Sequence, residues 1–160
     1  MRWVARKARR LKYAIYEFLP RDHLPDIHEV NVSKPIRCNR GMDSQYKLSE
    51  RELEQHYKQD PKESIWFGSF LNGKLLGYLC LMPVGGLAVY GRVLGHGKHL
   101  HDGIMPLLHY HVIRWLFDHC FQYCFYGSWN LQLTQLLDWK RRLLFEPIIL
   151  KEEMFAEPDK

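Results

Sequence analysis

Three observations in this sequence predict a mixed α+β fold: a mainly antiparallel central sheet flanked by about four helices. Asn72-Gly73 and Gly85-Gly86 are tight-turn signals that join three strand-like runs into a meander. Ser49-Glu50-Arg51-Glu52 has the pattern of a capping box, with Ser at N-cap and Glu at N3. From Leu87 to Phe121 the chain reads as strand, glycine turn and long amphipathic helix.

The elements follow in order. Tyr13–Phe18 reads as a strand closed by Leu19-Pro20, and His23–Val30 as a short helix carrying Leu24, Ile27 and Val30 on one face. Ser33–Tyr46 holds Pro, Gly, Asn and three bases and reads as a loop. The capped helix runs over Glu50–Gln59 and stops at Asp60-Pro61. Strands follow at Ser64–Leu71, Leu75–Val84 and Leu87–Leu94, then a helix at Gly103–Phe121. A strand at Tyr123–Ser128, a helix at Leu131–Leu144 and a strand at Pro147–Lys151 complete the fold. The expected division is a basic N-terminal extension over 1–12, one domain over 13–151 and a charged tail over 152–160.

Composition sets bounds on function. The sequence has 160 residues, 46% of them hydrophobic, enough for one packed core and too apolar for a disordered protein. Its formal charge of +5 favours an anionic partner. Six bases and no acid fall within the first twelve residues. They read either as a solvated terminus or as a contact for RNA or an acidic carrier protein. Cys38, Cys80, Cys120 and Cys124 form no CxxC pair, so reduced thiols and a cytoplasmic location are expected. No apolar run is long enough to span a membrane. Oligomeric state is not legible.

The chemistry centres on Arg92-Val93-Leu94-Gly95-His96-Gly97. A turn between strand and helix exposes backbone N–H groups, and the helix N-terminus adds partial positive charge. Glycine lets the backbone approach a phosphate closely. That combination suggests a nucleotide-linked acyl carrier such as coenzyme A.

The element order, with Arg92, Gly95 and Gly97 in an Arg-x-x-Gly-x-Gly turn, resembles the GNAT superfamily of N-acyltransferases over about residues 13–151. A second alignment places the phosphate turn at Lys98–Gly103, with Pro106 in the first turn of the helix. Many members end in L-Y-x-x-x-G-F, where the Tyr is a general acid. Here Lys140 stands at the Tyr position and Leu144 at the Gly position. Tyr126-Gly127-Ser128-Trp129 and the Lys140–Phe145 ending look like the Fem-type, peptidoglycan-bridge branch, which commonly uses aminoacyl-tRNA.

The resemblance implies that the family's fourth and fifth strands splay apart and receive the thioester arm of the donor. The donor is acyl-CoA, an acyl carrier protein or aminoacyl-tRNA, and the acceptor is an amine. The amide of Val93 or Leu94 is then the oxyanion donor. Arg92, Gly95, Gly97, Lys98 and Gly103 hold the diphosphate, and Asn130 holds the pantetheine arm or caps the last helix. For the proton of the attacking amine the sequence offers His96, His99, His101, Asp102 and Glu17. Lys140 protonates the leaving thiolate or belongs to a basic helix face with Arg141 and Arg142. Arg37, Arg40, Tyr46 and Trp129 are the expected acceptor residues, with a solvated basic loop as the plainer reading of the two arginines. His99-x-His101 lacks the companions of a metal site, and none is expected. The rival to an enzyme is a GNAT-like module without catalysis that binds RNA or an anionic protein surface.

Overall fold

The computed structural model describes residues 2–37, 40–58, 63–127 and 129–148, apart from the side chains of residues 2–4 and 40. The protein divides into two compact units, Met1–Gly127 and Ser128–Lys160. The first holds α1 (Arg2–Arg10), β1 (Ala14–Glu17), α2 (Leu24–Val32), β2 (Ile36–Arg37), β3 (Arg40–Gly41) and α3 (Glu50–Lys58). It continues with β4 (Ile65–Leu71), β5 (Lys74–Val84), β6 (Leu87–Gly95), α4 (Ile104–Asp118) and β7 (Tyr123–Phe125). The second unit holds α5 (Thr134–Arg142).

The main sheet has the order β1-β4-β5-β6-β7. Every neighbouring pair is antiparallel except β6 and β7. The turns explain the meander. Asn72 and Gly73 have φ of 51° and 80°, as a type I′ turn requires. At the second turn only Gly85 lies at positive φ, 56°, which suits type II′. The alternating side chains then face two layers of helix. Trp66, Phe70, Tyr78, Cys80 and Leu94 pack with Ile27, Val30 and Leu53 of α2 and α3. On the other face α4 buries Ile104, Leu108, Val112 and Leu116, and Trp115 meets Phe67 at 5.3 Å between ring centroids. Each fully buried large apolar side chain contributes about 1.5–3 kcal/mol.

The capping box forms as expected. The Ser49 amide donates to Glu52 Oε2 at 2.7 Å, and the Glu52 amide returns to Ser49 Oγ at 3.4 Å. The Ser49 hydroxyl, donating to the same Oε2 at 2.6 Å, and then the Ser49 amide hold the Glu52 carboxyl below its usual range.

Several expectations change. The basic N-terminus is not an extension but helix α1. Ala5 and Ala8 are small enough to bury, and Arg9 lies over the Tyr110 ring of α4 at 5.4 Å. The fifth strand of the main sheet ends at Phe125, not Ser128. Pro147 and Ile148 are not in a strand, and the rest of that predicted strand lies outside the described residues. The predicted loop 33–46 contains the two-residue ladder of β2 and β3 and a 3-10 turn at Ser44–Tyr46.

Candidate active site

The site is built around the upper half of β6. In β6 Leu87, Ala88 and Val89 pair with Tyr123, Cys124 and Phe125 of β7, and there the ladder stops. Tyr90–Gly95 continues along β5 alone, so the two parallel strands share only their first three residues. Between Tyr90↔Leu81 and Val93↔Leu79 the register shifts, setting Gly91 and Arg92 against Cys80 as a β-bulge. A bulge turns side chains away from the alternation of the strand.

The direction of the β6 amides follows from one bond. His96 N–H donates to the Leu76 carbonyl of β5 at 2.8 Å. Alternate residues of an antiparallel ladder face the same neighbour. The Leu94 amide therefore also faces β5, while the Val93 and Gly95 peptide groups face the opposite edge. The Gly95 carbonyl accordingly takes its bond from Arg37 Nη1, at 2.9 Å.

The turn after β6 is packed rather than open. A Cβ on Gly95 would lie 2.6 Å from Met105 Sδ and 2.9 Å from Leu100, and one on Gly97 would lie 2.9 Å from the Ser33 carbonyl. The Gly97 amide donates to Ser33 Oγ at 2.9 Å, Lys98 to His96 Nδ1 at 3.3 Å, and His99 to the His96 carbonyl at 2.9 Å. Of the two motif glycines, Gly97 spends its amide within the protein. Together they admit the protein's own α2 and α4 to close range. A 3-10 helix spans Gly97–Asp102, and Gly103, at φ 85°, starts α4. Gly103 is thus the last glycine before the helix.

Titratable side chains bind this turn together. His96 is 6% exposed. Its Nδ1 accepts from Lys98 and its Nε2 lies 3.3 Å from Glu29 Oε1. Burial, then His99, lowers its pKa against the pull of Glu29. Both ring nitrogens are engaged, so His96 holds the turn. Tyr13 donates to Asp102 Oδ2 at 2.8 Å, and Lys7 and His101 lie 3.7 and 3.1 Å from Asp102 Oδ1. Burial would raise the Asp102 carboxyl, but these partners together with His99 hold it below its usual range. The same burial and carboxylate push the Tyr13 hydroxyl far up.

The bulge puts Arg92 on the α2/α3 face. Its Nη2 lies 2.6 Å from His56 Nε2 and its Nη1 3.5 Å from the Tyr57 hydroxyl. The guanidinium sits over the rings of Tyr46 and Tyr57 at 5.9 and 5.8 Å. Arg92 is therefore not at the glycine turn. Arg37 joins the same face, giving bonds to the carbonyls of Gly95 and Val30 and to Ser33 Oγ. Nearby, Tyr78 donates to Asn31 Oδ1 at 2.6 Å in the core. Burial first, then Tyr57 and Tyr46, push its hydroxyl up against Arg92 and Arg37.

Glu17 lies apart from this strand end. Glu17 is level with Val93 in register but three strands away, about 14 Å. It accepts from Trp115 Nε1 at 3.1 Å. The Arg40 side chain lies outside the described residues. In the second unit Lys140 is buried, which lowers its pKa, and its Nζ lies 6.0 Å from the centre of the Trp129 ring. Asn130 neither caps α5, whose N-cap is Leu133, nor leaves its oxygen open. Its Oδ1 accepts from the Gln132 amide at 2.9 Å. Leu144, at the family's Gly position, adopts φ 65°. Phe145 N–H reaches the Lys140 carbonyl and Leu144 N–H the Arg141 carbonyl, a Schellman ending without its glycine.

Sequence reasoning did not identify His56, Tyr57 or Glu29. The spacing of Leu53 and Tyr57 along α3 marks the inward face and was the available signal. Among the described residues no group of three or more His, Cys, Asp or Glu side chains could hold a metal, and no helix is long and apolar enough to cross a membrane.

No protein family and no curated protein matches this sequence. Solved structures do match its fold. A protein from Desulfovibrio desulfuricans assigned to the GNAT family of acetyltransferases superposes with a TM-score of 0.65 at 11% identity, covering 86% of this chain and 87% of its own. The PaiA N-acetyltransferase of Thermoplasma acidophilum, in complex with coenzyme A, gives 0.59 at 15% identity, covering 81% and 87%. An aminoglycoside acetyltransferase from an uncultured soil metagenomic sample, in complex with sisomicin, gives 0.58 at 14% identity, covering 92% and 97%. At these identities the likeness is one of fold. The protein has the architecture of the GNAT acetyltransferases.

Proposed function

We propose that this protein is an N-acyltransferase that moves an acyl group from acyl-coenzyme A to an amine by direct attack in a ternary complex. The observation that carries the reading is the edge of β6 beyond Val89, where β7 no longer pairs with it. An extended thioester arm can add to that edge as a strand would. Neighbours of the same fold in complex with coenzyme A and with sisomicin support a thioester donor and an amine acceptor.

The residues fit a diphosphate unevenly. The engaged Gly97 amide speaks against the Arg92–Gly97 turn, while Lys98, His99 and Gly103 also spend their amides within the protein. Lys98–Gly103 is better supported. Lys98 is exposed, and the Ile104 and Met105 amides open α4 without helical carbonyls to bond. Asp102 opposes an anion there, offset by Lys7 and the adjoining histidines.

The donor supplies an activated carbonyl. The Val93 N–H, facing the open edge, stabilises the oxyanion as the amine attacks. Holding amine and thioester together provides much of the acceleration. With His96 engaged and Glu17 distant, water at the open edge takes the amine proton. A proton from solvent converts the departing thiolate to the thiol. The free thiols Cys80, Cys120 and Cys124 suit a reducing, cytoplasmic setting.

Thermal melting tests the reading. Acetyl-coenzyme A at a hundredfold excess over its Kd should stabilise the protein by about 2.7 kcal/mol. An aminoacyl donor, the finer form implied by the Fem-type resemblance, would shift the melt with aminoacyl-tRNA instead. No shift with coenzyme A, acetyl-coenzyme A, acyl carrier protein or aminoacyl-tRNA would remove the enzyme. The packed turn favours a second reading, a non-catalytic module for RNA or an acidic protein. Exposed Arg6 and Arg9 line a concavity of about 300 Å³ with Ala5 and Tyr110. RNA binding through them should weaken steeply with salt and with Arg6→Ala/Arg9→Ala.

A further inference from the structure

We infer that the α2/α3 face beside the β6 bulge is a carboxylate site, and that the amine acceptor carries a carboxylate which Arg92 receives. The inference rests on the acyltransferase reading for the word acceptor, but the anion site stands on its own observations. Arg92 is half-buried, and the groups it meets are neutral: the His56 ring, the Tyr57 hydroxyl and the faces of two tyrosines. Among the described residues no carboxylate forms an ion pair with it.

A guanidinium has five N–H donors and cannot shed its proton. The 2.6 Å bond to His56 Nε2 therefore makes that nitrogen an acceptor and the imidazole neutral. The surroundings are rich in donors too. Arg37 lies on this face and gives bonds to two backbone carbonyls and a serine hydroxyl. Asn31, 1% exposed, uses its oxygen on the Tyr78 hydroxyl, and its Nδ2 is buried with no hydrogen-bond partner among the described residues. Both arginines act electrostatically on that same hydroxyl. Two cations and a buried amide donor therefore belong to one face.

The ligand that completes such a set is a planar monoanion able to accept two parallel N–H bonds, which describes a carboxylate. Tyr46 and Tyr57 wall the guanidinium with aromatic faces, which suits a small organic acid better than a hydrated phosphate. The bulge also places Arg92 one residue before Val93, whose amide faces the open edge. A carboxylate held here would leave an amine a few bonds away within reach of that edge. α-Amino acids, and peptide C-termini with a nearby amine, have this spacing.

The test titrates the full-length protein with N-acetylglycine, a product-like acid, with its neutral amide N-acetylglycinamide, and with inorganic phosphate. Calorimetry gives the affinities and thermal melting checks the fold. The acid should bind at least about tenfold more tightly than the amide, or about 1.4 kcal/mol. Arg92→Gln should abolish that preference. Equal binding of acid and amide, no binding of the acid, stronger binding of phosphate, or an unchanged preference in Arg92→Gln would each overturn the site. If Arg92→Gln does not fold, the acid-against-amide comparison on the unaltered protein decides alone. Coenzyme A is titrated separately on the same samples. Its failure to bind removes coenzyme A as the acyl carrier and leaves the carboxylate site intact, whereas loss of the acid preference does the reverse.

Discussion

The glycine turn at 95–103 and the bulge face around Arg92 lie on the same strand and teach opposite lessons. The turn carries the recognisable motif, yet its glycines are covered by Met105, Leu100 and Ser33 and three successive amides are engaged within the protein. The bulge carries no motif of its own, yet it holds a half-buried cation with neutral partners. Glycines mark where a backbone can be approached, but not by what. A cation on a bulge marks a demand for charge that the fold itself leaves unmet.

The contrast can be sharpened by pH. His109 lies on α4 behind the turn, fully buried, beside the rings of Tyr90 and Tyr126, with Nδ1 2.9 Å from the Met105 carbonyl. Burial lowers its pKa to about 4. The unfolded ring titrates near 6.5, so the unfolded state binds the proton first as pH falls. The stability it contributes is complete above about pH 6.5 and disappears as pH drops through 4, about 3 kcal/mol in all. Urea denaturation from pH 7 to 4 should show that loss, and His109→Gln should flatten it. A parallel pair of curves would mean that water reaches this ring.

Substitution at each region comes next in size. Gly97→Ala sets a methyl against the Ser33 backbone and should cost about 1–3 kcal/mol in chemical denaturation. Arg92→Ala should cost under about 1 kcal/mol, because it removes no charge pair. A reversal of that order would break the comparison. Ser33→Ala removes the partner of the Gly97 amide and should destabilise by about 1–2 kcal/mol, read the same way. The smallest effect is a gain. Leu144 is 88% exposed at φ 65°, so Leu144→Gly should raise stability by about 0.5 kcal/mol in a thermal melt.

That leucine also explains why some boundaries were hard to read. α1, α4 and α5 each end on a left-handed residue that is not glycine: Lys12, Cys120 and Leu144. The punctuation that stops a predicted helix is missing there, and the predicted ends of α4 and α5 ran on to Phe121 and Leu144. Where turn chemistry was explicit, at Asn72-Gly73, Gly85-Gly86 and the Ser49 capping box, the strands and helix fell within a residue or so of expectation. The site was legible only in part. The glycine motif marks the end of β6, but a one-residue bulge cannot be seen in a sequence, and that bulge decides where Arg92 points. The ties of His96 to Glu29 and of Arg37 to Gly95 span 67 and 58 residues, beyond any local pattern.

Helix α1 supplies Lys7 to Asp102, and Tyr13 just beyond its end supplies a hydroxyl to the same carboxylate. The N-terminus is thus the counterion of an acid seated at the entrance to α4. Trimming those first residues would strip that neutralising cover and leave the entrance more negative, although nothing at the entrance itself had been altered.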